Sequence, residues 1–107
     1  MDKNNVLIES LQNCVTACEQ CADACLDEEN VRSMTDCIRL TRDCADICNT
    51  TARLLSRNSD ANIALIELCK DICGECAKEC ESHTHEHCQR CAQACRRCEE
   101  QCRNYLN

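Results

Sequence analysis

Sixteen of the 107 residues are cysteine, and their spacing is the feature with chemistry in it. Cys14, Cys18, Cys21 and Cys25 are separated by steps of 4-3-4, and Cys69, Cys73, Cys76 and Cys80 repeat the pattern. Cys88, Cys91, Cys95, Cys98 and Cys102 run 3-4-3-4. Cys37, Cys44 and Cys48 run 7-4, with Thr41 where another cysteine would complete the alternation. Alternating steps of three and four place side chains along one stripe of a helix, so every cysteine lies on a helical seam. One or two seam cysteines would read as small buried hydrophobes. Sixteen would not, because Leu or Ile fills a core better than a thiol does.

Disulfides suit this geometry poorly. Neighbours on one helix face have nearly parallel Cα–Cβ bonds, and facing helix axes lie about 8–10 Å apart. Metal binding fits better, and soft thiolates suit Cu(I), Zn(II) and iron–sulfur clusters. Cluster cysteines usually sit in loops near Gly or Pro, whereas this chain has no Pro and a single Gly. Zn(II) takes four ligands in a tetrahedron, so private thiolate sites would accumulate buried negative charge. Cu(I) is monovalent, accepts two or three sulfurs and shares bridging thiolates, so one ion per thiolate is charge-neutral. Thiols three or four residues apart lie about 5–6 Å from one another, close enough to reach a common ion. The row from Cys14 to Cys25 extends about 16 Å, room for a chain of sites. The expected cofactor is Cu(I), several ions per protomer, from about 8 with private thiolate pairs to about 16 or slightly more with bridging. A zinc or general soft-metal buffer and a thiol redox sensor are the alternatives.

Four helices must position these seams: about Asn5 to Asp27, Val31 to Arg57, Ala61 to Glu81, and a fourth ending near Asn104. Asn58-Ser59-Asp60 supplies one break and a new N-cap, and Ser82-His83-Thr84-His85 another. Connections this short make successive helices antiparallel, giving one all-α domain over 1–107 as an up-down-up-down four-helix bundle. The seam continues into Leu7 and Leu11, Thr51 and Leu55, Ile66, and Tyr105 or Leu106, which gather at one end as an apolar plug. Cys25, Met34, Cys80 and Cys88 gather at the other, beside His83, His85 and His87. Imidazole and thioether are soft enough to pass copper there, so these three histidines and Met34 are candidates for metal uptake. Glu28, Glu29, Glu81 and Glu86 add negative charge to the same end. Ile38, Ile47, Leu65, Leu68 and Ile72 flank the seam and widen the apolar face.

A net charge of −7 leaves no basic face for nucleic acid. No run approaches the roughly 18 apolar residues of a membrane span, so no membrane partner is expected. The start MDKNNVLIES lacks a basic stretch leading into an apolar one, so a cytoplasmic location with reduced thiols is expected. No cysteine stands apart from the repeat and no Ser/His/Asp or paired-carboxylate arrangement is present, so the expectation is binding without catalysis.

Over nearly its whole length the sequence resembles the bacterial copper storage proteins of the cytosolic branch. The resemblance rests on C-x3-C-x2-C-x3-C in the first and third helices, CIRLTRDCADIC from Cys37 to Cys48, and HTHEHCQRCAQAC from His83 to Cys95. It implies a four-helix bundle assembling as a homotetramer, many Cu(I) ions on core thiolates, and metal uptake at the histidine-bearing end. No motif identifies a copper chaperone or efflux partner. Some members carry further cysteines where this chain has Leu7 and Leu11, which implies a shorter metal column here.

Overall fold

Asp2 starts the first helix by accepting hydrogen bonds from the amides of Asn4 (2.7 Å) and Asn5 (3.4 Å), two donors a helix start otherwise leaves unpaired. In the computed structural model, which describes residues 2–107, helix α1 spans Lys3–Cys25. It ends at Cys25, short of the expected boundary near Asp27. The amides of Leu26 and Asp27 turn back to the carbonyls of Asp23 and Ala24, tightening the last turn.

The second expected helix divides. Val31–Met34 forms a 3-10 turn and α2 covers Thr35–Ser56. Ser33 Oγ donates to the Asn30 carbonyl (2.7 Å) and Thr35 Oγ1 to that of Arg32 (3.1 Å). These short hydroxyl bonds compete with the regular helical ladder and favour the tighter turn. At the far end of α2, Asn58 takes a left-handed conformation, φ 52°. The Ser59 amide then bonds the Leu54 carbonyl and the Asn58 amide that of Leu55, a Schellman closure in which Asn tolerates the turn. Helices α3 (Asn62–Glu81) and α4 (Glu86–Leu106) complete the chain.

Each helix packs on two others: α1 on α2 and α4, and α3 on α2 and α4. The product is an antiparallel up-down-up-down four-helix bundle of 43 × 20 × 18 Å. Among the described residues, no helix is long and apolar enough to cross a membrane. Leu7, Leu11, Leu55 and Ile66 are fully enclosed and form the expected plug, with Tyr105 and Leu106 packed against the core. Polar side chains lock that end. The Tyr105 hydroxyl donates to Asn4 Oδ1 (2.7 Å), and Asn4 Nδ2 donates to Asn58 Oδ1 (2.9 Å). Of the flanking apolar residues, Ile38, Ile47 and Ile72 pack against the core. Leu68 remains 47% exposed, with Leu26, Val31 and Ile63 also outside.

Candidate metal centre

All sixteen cysteines are at 0% exposure and none is in a disulfide. Helices α1, α3 and α4 contribute unbroken rows, and α2 contributes Cys37, Cys44 and Cys48. Thr41 is buried in the gap of the α2 row, where its hydroxyl donates to its own helix at Cys37 O (2.7 Å). Because all four rows face inward, the thiols meet across helices as well as along them. Cys14 Sγ lies 3.7 Å from Cys95, 3.9 Å from Cys44 and Cys18, and 4.0 Å from Cys73. Cys48 approaches Cys73 to 3.5 Å, and Cys37 lies 3.9 Å from Cys80.

These contacts resolve into sets whose ligand atoms lie within 4.8 Å of one another. From the histidine end inward they include Cys21, Cys25, Cys88 and His87; Cys21, Cys37 and Cys80; Cys18, Cys76, Cys91 and Cys95; Cys14, Cys18, Cys44 and Cys95; and Cys14, Cys44, Cys48 and Cys73. Three of the four neighbouring pairs of sets share members. Cys21 belongs to the first two, Cys18 and Cys95 to the third and fourth, Cys14 and Cys44 to the last two. Shared thiolates suit a monovalent ion that accepts bridging sulfur. Toward the plug the row changes partner, with Thr51 Oγ1 2.9 Å from Cys69 Sγ.

Proton affinities follow from this crowding. At the open end burial dominates, pushing Cys25 up to about 12 and Cys88 up to about 11. Deeper in, neighbouring thiols hold each other in opposite states. Hydrogen bonds from Cys21 and Cys80 bring Cys37 down to about 3, and those of Cys102 and Cys48 bring Cys69 down to about 4. Cys18 is pushed up, chiefly through its bond with Cys14. One monovalent metal per thiolate leaves the column neutral, whereas divalent ions on four-thiolate sites leave it negatively charged.

The three histidines separate. His87 Nδ1 lies 3.3 Å from Cys21 Sγ and 3.6 Å from Cys88 Sγ, while its Nε2 meets Glu28 Oε2 at 2.8 Å. A carboxylate only accepts, so Nε2 carries the hydrogen and the Nδ1 lone pair faces the thiols. His85 stacks on His87, ring centroids 5.4 Å apart, and reaches the same Glu28 oxygen at 3.5 Å. His83 instead pairs with Glu79 at 2.8 Å. Met34 is buried at 1% exposure within the core cluster at this end. A groove of about 220 Å³ walled by Asn13, Thr16, Ala17, Gln20 and Arg90 reaches Cys21 and His87 from outside. Glu28 had been recognisable only as rim charge; its hold on two histidines comes from the fold.

The profile of the copper storage proteins matches residues 1–107 of this sequence. The chain belongs to the copper storage protein family. Among solved structures, it is similar to the Cu(I)-bound copper storage protein BsCsp3, with 40% identity, 99% of this chain and 100% of that one covered, and a TM-score of 0.95. It is also similar to a cytosolic copper storage protein from Streptomyces lividans loaded with five coppers: 43% identity, 97% and 92% coverage, TM-score 0.94. An uncharacterized cysteine-rich protein, YhjQ of Bacillus subtilis, is 43% identical over 97 residues, 91% of this chain and 90% of the relative. As a member of the copper storage family, the chain stores copper. The four-helix bundle expected from the cysteine spacing is the fold these structures share.

Proposed function

We propose that this protein stores Cu(I) in the cytosol, many ions per protomer, on the sixteen thiolates Cys14, Cys18, Cys21, Cys25, Cys37, Cys44, Cys48, Cys69, Cys73, Cys76, Cys80, Cys88, Cys91, Cys95, Cys98 and Cys102. Storage shields the cell from the free ion and keeps it for later use, and it is binding without catalysis. The carrying observation is a column of enclosed thiols in which most neighbouring ligand sets share members. Sequence relatives described as Cu(I)-bound and as cytosolic support the cargo and the compartment. His87, with His85 stacked behind it and Met34 nearby, stands where an incoming ion first meets sulfur. The protomers form homotetramers, an arrangement the resemblance implies and for which exposed Leu26, Val31, Ile63 and Leu68 offer apolar surface.

Anaerobic titration of the reduced protein with Cu(I) against a competing chelator tests this. The expected endpoint is about 8 to 16 ions per protomer. Saturation at one or two ions, or filling of the whole column more tightly by Zn(II), overturns it. Light scattering of the eluting protein reads the oligomeric state.

A further inference from the structure

The outermost ligand set differs in kind from the deeper ones. Cys21, Cys25, Cys88 and His87 combine three thiols with one imidazole, a donor set typical of a closed structural Zn(II) site. The other sets described above are sulfur alone. The geometry points to a single Zn(II) site here, one that pins the mouth of the column while copper is absent.

Four distances carry this. Cys21 Sγ lies 4.0 Å from Cys25 Sγ and 3.9 Å from Cys88 Sγ, and His87 Nδ1 lies 3.3 and 3.6 Å from Cys21 and Cys88. A tetrahedron with Zn–S of about 2.3 Å and Zn–N of about 2.0–2.1 Å has edges of about 3.8 Å between sulfurs and about 3.6 Å from nitrogen to sulfur. Little movement separates the two arrangements. Glu28 adds the usual outer partner: its carboxylate accepts from His87 Nε2 at 2.8 Å, which fixes the ring with Nδ1 turned inward.

Charge selects this set over the four-cysteine sets deeper in the column, and the fourth ligand selects it over Cys21, Cys37 and Cys80. Zn(II) displacing three thiol protons, which leave to solvent, gives a site of net charge −1; a four-thiolate site deeper down would be −2. The −1 site also lies nearest water, with the groove at Cys21 and His87 on one side and an acidic cleft of about 400 Å³ at Glu28, Glu29 and His85 on the other. Zinc therefore stops at the mouth while copper continues inward. The bound ion ties α1 to the first turn of α4. Cu(I), the softer ion, displaces it by ligand exchange when the column fills, with no change of oxidation state.

The test is titration of the reduced apoprotein with Zn(II) against a chromophoric chelator, with Co(II) as spectroscopic probe. One tight equivalent per protomer is expected, with the intense visible absorption of tetrahedral cobalt bound to thiolate. Glu28→Gln should weaken Zn(II) roughly 10- to 100-fold, with circular dichroism of the variant reporting an intact fold. Cu(I) added to the one-zinc protein should release the zinc to the chelator. No tight equivalent, several equivalents of similar affinity, unchanged zinc affinity in Glu28→Gln, or zinc retained by the copper-filled protein would each overturn the assignment. Copper capacity is read separately, so failure of the zinc site and failure of copper storage are distinguishable.

Discussion

Glu28 and His87, 59 positions apart, meet at 2.8 Å and thereby aim an imidazole lone pair at the outermost thiols of the column. The carboxylate lies in the connection after α1 and the histidine in the first turn of α4. One hydrogen bond therefore couples the geometry of two elements at the open end. The opposite end has its own polar lock, and among the described residues its last sulfurs are those of Cys69 and Cys102.

Thr41 occupies the one interior position of α2 where the thiol row is interrupted. Thr41→Cys should raise copper capacity by about one ion per protomer, because its neighbours already supply bridging sulfur. The Thr41 hydroxyl bonds only to carbonyls of its own helix, so stability should change by less than about 1 kcal/mol. Native mass spectrometry of the loaded variant reads the first, chemical denaturation the second. An unchanged copper number would mean this layer does not hold metal.

Alkaline pH should unfold the apoprotein before it affects the copper form. Burial holds Cys25 and Cys88 near 12 and 11, above the ordinary 9.0. These two thiols hold protons that the unfolded chain has already released above about 9, so their contribution to stability falls as pH rises. The contribution is whole below about 9 and lost through 11 to 12. Circular dichroism melts from about pH 9 to about pH 12 under reducing, anaerobic conditions should show falling apo midpoints. Copper-bound thiolates carry no proton to lose, so the loaded midpoint should stay nearly level.

Stripping copper should lower the melting temperature. Thiols and a few aliphatic residues fill this core without any large aromatic, and ligand that binds only the folded state adds stability by mass action. Stepwise loading followed by calorimetry should show the midpoint climbing with each addition. A melting curve indifferent to copper would count against coupling between filling and folding.

Gly74 is the single glycine, in the middle of α3 where Glu99 of α4 lies over it. A Cβ there would fall 2.6 Å from Glu99 Oε2, the far end of a flexible side chain that can swing into solvent. Glu99 would give up surface pairing with Arg96 and Arg103, which is worth little. Gly74→Ala should gain up to about 1 kcal/mol from helix propensity. A midpoint raised by a few degrees with unchanged copper capacity is expected; a lowered one would show that α3 and α4 need the close approach.

The cysteine rows made the helices, their number and the inward face readable, because steps of three and four have meaning only on a helix. The plug was readable for the same reason, since Leu7, Leu11, Leu55 and Ile66 extend those rows. Less accessible were features set by contacts remote in sequence or by short hydroxyl bonds. Ser33 and Thr35 turn Val31–Met34 into a 3-10 segment through bonds to carbonyls that propensity alone does not reveal. The histidines look alike in HTHEH, yet only the folded chain shows His83 on Glu79 and His87 on the thiols.

The lock of Tyr105, Asn4 and Asn58 behind the leucines makes the column a blind alley. On the proposed uptake route at the histidine end, ions admitted first would pass deepest and leave last, so the store would empty in the reverse of its filling order. A partly filled molecule would then hold two populations: a deep reserve near Cys48 and Cys73, and a more quickly exchanged layer near Cys21 and Cys88. Short supply would draw on the second long before it touched the first.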